Sequence, residues 1–333
     1  MLQATRAVDR RWDGRLRFQM PPTAKAAGKA AASARAAEPW RRDDAMPRLN
    51  TGMACDTAFR IVARRALADL TANNLATREG DPAALHQMRI ALTRLRTAIL
   101  FFSPMVKDPL RKRIQQELKW LNSHLGMVRD IDVASERLRG IDKTKPQDAR
   151  YYRSWDTERA ECHRRLVRAL RSARYRHLVK STSNWIENGP WSTRQGNKAA
   201  RERGTPIAQY SVGKLARWQK KLVKKSRKLL KMDAETRHRL RLLNKKLTYS
   251  IEFFDDLSSD KNVARQSAGL KHLRRAQRSL GQLNDDTNGH ALAATLQRDG
   301  VHLPLQFLGP KREKRLLRAA AAAYRKLAAL RSL

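Results

Sequence analysis

The stretch HQMRIALTRLRTAILFF, residues 86–102, has a gap-free echo in HRLRLLNKKLTYSIEFF, residues 238–254. His86 matches His238, Arg89 matches Arg241, Arg94 matches Lys246, and Phe101-Phe102 matches Phe253-Phe254. On a helix turning about 100° per residue, positions 86, 89, 93, 96 and 97 fall within roughly a 100° arc. That arc carries His86, Arg89, Thr93, Arg96 and Thr97 in the first copy, and His238, Arg241, Lys245, Thr248 and Tyr249 in the second. The opposite side is apolar in both: Leu85, Met88, Leu92, Leu95, Ile99 and Phe102, against Leu240, Leu243, Leu247, Ile251 and Phe254. The pattern predicts two helices with one apolar face and one narrow histidine-and-cation face each. The rest of the chain is expected to hold those polar faces opposite each other.

The echo reaches further. LGMVRD at residues 125–130 corresponds to LGQLND at residues 280–285. No stretch alternates well enough to predict a strand, so the expected fold is all-α: two similar antiparallel four-helix bundles related by internal duplication, with a basic groove between them. Residues 51–195 would form the first bundle and residues 196–333 the second, with the Gly/Pro/Ser-rich run NGPWSTRQGNKAARERGTP at the boundary. Residues 1–50, rich in Ala, Arg, Lys and Pro, read as a disordered basic arm. Asp81-Pro82 and Asp108-Pro109 are helix starts, with Asp as cap and Pro in the first turn. Gly126 and Gly281 are expected to interrupt their helices, and KTKPQ to form a loop. Residues 148–187 and 207–231 each read as one long helix.

The chain carries 71 Lys+Arg against 31 Asp+Glu, a formal charge of +40. Self-repulsion on that scale calls for an anionic partner: nucleic acid, an acidic membrane surface or a polyanionic small polymer. No apolar run reaches the roughly eighteen residues of a membrane span. Cys55 and Cys162 stand apart without a CxxC pair, which argues against a disulfide framework or zinc site and fits a reducing, cytoplasmic setting. The N-terminus has no hydrophobic core of a secretory signal.

KLARWQKKLVKKSRKLLK, Lys214 to Lys231, has nine basic residues and no acidic one. Lys214, Arg217, Lys221, Lys224, Lys228 and Lys231 follow the spacing of one helical stripe, beside the apolar Leu215, Trp218, Leu222 and Leu229. Like charges at i,i+4 weaken a helix, so the stripe points to a phosphate track rather than a merely solvated face. Arg60 and Arg64 form a weaker version in the first half. A neutral imidazole donates one hydrogen bond to a phosphate oxygen, arginine offers a planar fork for two, and lysine adds a point charge. The recurrent His-x-x-R is therefore suited to clamping an anion.

Catalysis finds little support. Asp130 with Asp132, and Asp285 with Asp286, follow a glycine, as helix-capping pairs would, with Arg129 as a partner. There is no Gly-rich phosphate loop, no HExxH and no nucleophile elbow. The chain is expected to be a non-enzymatic binder with no cofactor and no metal.

These motifs resemble the CHAD family, the conserved histidine α-helical domain. HQMRIALTRLR and HRLRLLNKKLTYSIEFF look like its two hallmark helices, LGMVRDIDV like its post-helix motif and LGQLND like the second-half partner. The resemblance covers residues 53–331. It implies binding of inorganic polyphosphate in a groove between the bundles and an association with polyphosphate granules, granule proteins or polyphosphate-metabolising enzymes. It also implies a ligand set: His86, Arg89, Arg94 and Arg96, with His238, Arg241, Lys245 and Lys246. Thr93 departs from the family's usual base, as does Thr248. To this set the stripe adds Arg217, Lys220, Lys221 and Lys224, and Arg60, Arg64 and Arg129 complete the candidates. The competing expectations are a nonspecific nucleic-acid binder, and a granule coat held by the N-terminal arm and the C-terminal AAAAAYRKLAALRSL helix. Scarce aromatic residues, 6% of the chain, argue against a platform for stacking bases.

Overall fold

Aspartate, serine and proline punctuate the chain into helices that pack around a connected aromatic core. The computed structural model describes residues 47–137, 146–257, 260–298 and 308–330. The expected arm lies outside the described residues up to position 46, and so does most of KTKPQ. The described residues form eleven α-helices and no strand. In chain order these are α1 (Cys55–Ala72), α2 (Asn74–Arg78), α3 (Pro82–Phe101), α4 (Pro109–Arg137), α5 (Pro146–Arg171) and α6 (Ala173–Asn188). They continue with α7 (Asn197–Gly204), α8 (Ile207–Ser226), α9 (Ala234–Phe253), α10 (Asp260–Arg298) and α11 (Pro310–Ala329). None of these helices is long and apolar enough to cross a membrane.

Helices α1 to α6 pack largely among themselves, and α8 to α11 do the same. The two groups meet where α3 lies on α9, α4 on α10 and α1 on α8. The all-α fold thus has its two echo helices in direct contact. A short antiparallel bridge, Ala54 with Pro206, ties the starts of α1 and α8 together, with Ile207 N donating to Met53 O at 2.8 Å.

Aromatic rings fix that contact. The ring of Phe59 on α1 lies 5.5 Å from Phe102, 5.8 Å from Trp185 and 5.2 Å from Trp191, each tilted edge to face, the arrangement that ring quadrupoles favour. Phe101 sits 5.2 Å from Phe254 and 5.5 Å from Trp218, and Phe102 stacks on Tyr210 at 5.7 Å. The Phe-Phe ends of α3 and α9 therefore share one core. Buried indole N–H groups find acceptors: Trp185 donates to Asp108 at 2.8 Å, and Trp191 to the Trp185 carbonyl at 2.8 Å. Asp108 also accepts from Arg111 N at 2.8 Å, so it caps α4 while anchoring α6.

Three expectations about helix ends are corrected. Helix α4 runs through Gly126 and α10 through Gly281 without interruption. One glycine costs a helix about 1 kcal/mol, and the buried flanks Leu121, Leu125, Val128 and Leu273, Leu280, Leu283 outweigh it. Asp130, Asp132, Asp285 and Asp286 consequently lie inside helices and do not cap their own, and Asp286 Oδ1 instead accepts from Leu308 N at 2.9 Å, just before α11. The long helix over 148–187 breaks at Ser172, whose Oγ accepts from Tyr175 N at 3.1 Å and starts α6. The stripe helix ends at Ser226, and a 3-10 turn, Leu229–Lys231, follows. Leu229 is 1% exposed and draws the chain inward, which takes Lys228 and Lys231 out of the helical stripe.

Gly189 marks the tightest point of the aromatic core. A methyl group there would run into the Trp185 carbonyl oxygen and stand 2.6 Å from the immobile Trp191 ring. Gly189→Ala is expected to lose about 1–3 kcal/mol, read as a lower urea midpoint with an unchanged slope.

Candidate functional site

Each echo helix is started by an aspartate five residues before its histidine. Asp81 Oδ1 accepts from Ala83 N at 2.7 Å at the start of α3, and Asp233 Oδ1 from Thr236 N at 2.6 Å at the start of α9. The caps set the register, and the apolar faces turn the His-x-x-R edges toward α4 and α10.

His86 and Arg89 of α3, Arg129 of α4, and Arg241 and Lys245 of α9 converge in one cluster, with Asp130 and Asp285 beside them. Arg89 Nη1 donates to the Leu125 carbonyl of α4 at 2.8 Å, reaching it over Gly126. Arg241 lies correspondingly over Gly281 of α10, its Nε and Nη2 each 3.9 Å from where a Cβ would sit. The glycines that were expected to break helices instead present smooth backbone to two guanidinium groups. His238 shares a short hydrogen bond with Asn284, while Arg129, which occupies the equivalent place in LGMVRD, lies near His86. Asn288 of α10 donates to Asp130 of α4 at 3.2 Å, closing the base of the cluster.

Cations outnumber carboxylates here, and the titration behaviour reflects it. Burial, then Arg241 and Arg89, pull the Lys245 ammonium down to about 7, with Asp285 opposing. His86 remains solvent-accessible, yet the surrounding protein, with Arg129, Lys245 and Arg89, pulls its imidazole down to about 4. Burial draws Arg89 below the ordinary arginine value and pushes Asp130 above the ordinary aspartate value. The buried Nε of Arg241 has no hydrogen-bond acceptor within the described residues.

A second group lies further along the same helix pair. Lys246 of α9 is lowered by burial and by the charges of Arg96 on α3 and Lys221 on α8, so three helices bring cations together again. On the same helix pair, Arg94 reaches Glu252 at 3.4 Å and lies 5.6 Å from the ring centre of Tyr249, and Glu252 also accepts from Arg274 at 3.1 Å. Arg94 is thus held by a carboxylate.

The other candidates are dispersed. Arg217, Lys220 and Lys224 are exposed along α8, with only Lys221 of that stripe joined to the Lys246 group. Arg60 pairs with Asp56 at 3.1 Å and lies 4.9 Å from the Trp191 ring centre. Arg64 is held by both oxygens of Glu187 on α6. The sequence reading omitted Asn284, Asn288 and Glu252, and did not assign Asp130 and Asp285 to the cation cluster. The LGMVRD–LGQLND correspondence was the available signal for the first and last of these.

The chain belongs to the CHAD domain family, whose sequence model matches residues 61–294. Every residue of both cation groups lies inside that span. The crystal structure of the CHAD domain from the plant Ricinus communis superposes with a TM-score of 0.69 at 26% identity, covering 86% of this chain and 96% of that one. PptA from Streptomyces chartreusis shares the fold at a TM-score of 0.55 and 15% identity, over 84% of this chain and 96% of that one. No curated protein sequence matches.

Two substitutions probe how the cluster is supported. A Cβ at Gly126 would stand 3.7 Å from Arg89 Nη1, an ordinary contact. Gly126→Ala is therefore expected to be tolerated and to gain up to about 1 kcal/mol of helix propensity. Gly126→Leu would push Arg89 off the Leu125 carbonyl and lose about 1–3 kcal/mol, both read by thermal unfolding.

Lys245 gives a pH signature. Its folded value of about 7 lies below the ordinary lysine value, so the unfolded chain binds the extra proton across the window between them. The penalty is complete below pH 7 and is relieved as pH rises from about 7 toward about 10. Lys245→Met should be more stable than the wild type in denaturant melts at pH 6, with the gain shrinking by pH 9.

Proposed function

We propose that the chain is a non-catalytic polyphosphate-binding protein that takes the polyanion along the α3–α9 cleft. The observation that carries this reading is a half-buried cluster in which Arg89, Arg129, Arg241, Lys245 and His86 face two carboxylates, Asp130 and Asp285, among the described residues, with a buried Arg241 donor unmet there. Burial first, and then the neighbouring cations, disfavour the charged forms of Lys245 and His86, and an anion would offset both while accepting hydrogen bonds. A single phosphate could occupy one group, whereas the second group, Arg96, Lys246 and Lys221, favours a ligand that repeats its charge along a chain.

Nucleic acid is the weaker reading. Tyr249 is 8% exposed, and Phe101, Phe102, Phe253 and Phe254 are buried in the core. The cleft thus offers charge without the exposed rings on which single-stranded bases stack. The family resemblance favours polyphosphate for the same site. On this reading the protein works in the cytoplasm at polyphosphate granules, alongside granule proteins or polyphosphate-metabolising enzymes.

Calorimetric titration with long-chain polyphosphate, a short oligophosphate and a DNA duplex tests the proposal. Polyphosphate should bind most tightly, and the logarithm of its affinity should fall steeply and linearly with that of salt concentration, as counterions are released. The combined Arg89→Ala, Arg241→Ala and Lys245→Ala variant should lose well over the about 1 kcal/mol typical of an exposed charge pair. Equal affinity for all three polyanions, indifferent to that variant, would reduce the cluster to scaffolding.

Binding should also take up protons. An anion beside Lys245 raises its value above about 7, so affinity is nearly flat just below that pH and falls above it. The decline approaches roughly tenfold per pH unit. Titrations in two buffers of different ionisation enthalpy would read the proton count, and Lys245→Met should remove it.

A further inference from the structure

The cleft leaves the far side of the second helix group without a role. Between residues 261 and 284, helix α10 has no acidic residue, and none occurs from Lys314 to Leu333. Helices α10 and α11 pack extensively on each other, so these two acid-free stretches are neighbours. Helix α11 (Pro310–Ala329) lies beyond the residues that the family model matches.

The side chains of α10 divide by face. Gly281, Asn284, Asp285 and Asn288 serve the cleft. Lys271, His272 and Arg275 centre roughly 140° away at about 100° per residue. There Lys326 of α11 joins them: burial, then Lys326, Lys271 and Arg275, hold His272 below the ordinary imidazole value. Lys271, Arg275 and Lys326 are exposed. Among the described residues none of the three is paired with a carboxylate, whereas Arg274, one position from Arg275, turns back to Glu252. Lys271 and Arg275 stand at i,i+4, where like charges oppose the helix. Four basic groups from two helices are thus gathered on one surface, and among the described residues no carboxylate pairs with Lys271, Arg275 or Lys326.

We propose that this outer face of α10 and α11 is a second polyanion-binding surface, separate from the cleft, through which one molecule joins two stretches of polyphosphate. The inference rests on the polyphosphate reading of the cleft for the identity of its ligand. The face itself is open and offers charges without an enclosing wall. Alone it binds weakly, and it acts through the high local concentration of a chain already held in the cleft or presented by a granule. This gives the C-terminal helix the work of a cross-link rather than of a second clamp.

The test compares the wild type with a Lys271→Ala, Arg275→Ala, Lys326→Ala variant and with a control, Lys112→Ala, Lys119→Ala, Lys180→Ala. The control removes the same charge from other exposed positions. Inorganic tripolyphosphate, too short to bridge, reports the cleft by calorimetry. All three proteins should bind it within roughly twofold of each other, as distant sites do. Light scattering and sedimentation with long-chain polyphosphate report cross-linking. Wild type and control should form large assemblies near charge balance, and the α10–α11 variant should need at least about tenfold more protein to do so. Assemblies in all three alike, in none, or lost equally in the control would overturn the proposal. A failure of the cleft reading looks different: tripolyphosphate affinity indifferent to Arg89→Ala and Arg241→Ala.

Discussion

Desolvated like charges govern this structure. At an effective dielectric of 20, two unit charges 4 Å apart repel by about 4 kcal/mol, a large part of the 5–15 kcal/mol that typically holds a domain together. Arg89, Arg129, Arg241 and Lys245 can share one cleft only because Asp130 and Asp285 sit among them and Leu125 gives Arg89 a carbonyl. Burial and, after it, Arg241 and Arg89 still hold Lys245 low despite Asp285. The apolar side of α3 and α9, with Phe101 against Phe254, supplies the attraction that keeps the two helices together despite their charges.

Much of this was legible in the chain. The period of Leu85, Met88, Leu92 and Leu95 assigns α3 its buried face, and the same spacing in the echo assigns α9. Asp-Pro starts and aspartate caps are local signals, and they place the helix beginnings within a residue. The histidine–arginine edges meet where α3 packs on α9, each helix begun by an aspartate cap.

What sequence alone misjudged depends on contacts between distant residues. Gly126 and Gly281 carry the local signature of a helix break, but the leucines on either side are buried by other helices and carry the helix through. Ser172 looks like one more polar position in a basic helix, and its capping role depends on the turn that brings α6 back against α4. Cation spacing along α8 could not reveal that Lys221, itself exposed like Lys220 and Lys224, lies close enough to act on Lys246, since that depends on how α8 is seated. Arg60 and Arg64 share a helical face in the sequence, yet Asp56 and Glu187 claim them.

The 39 residues of α10 form one continuous helix of about 58 Å, and it is fastened at separate levels. Arg274 meets Glu252, Asn284 meets His238, and Asn288 meets Asp130. Opening or twisting the cleft would have to break several of these bonds together, so the charges stand at fixed spacing before a ligand arrives. Capture is then a matter of encounter rather than of reshaping. On the proposed reading, a rigid, strongly positive cleft would draw a polyanion at rates set by diffusion and steering, and added salt would act first on how quickly the chain arrives.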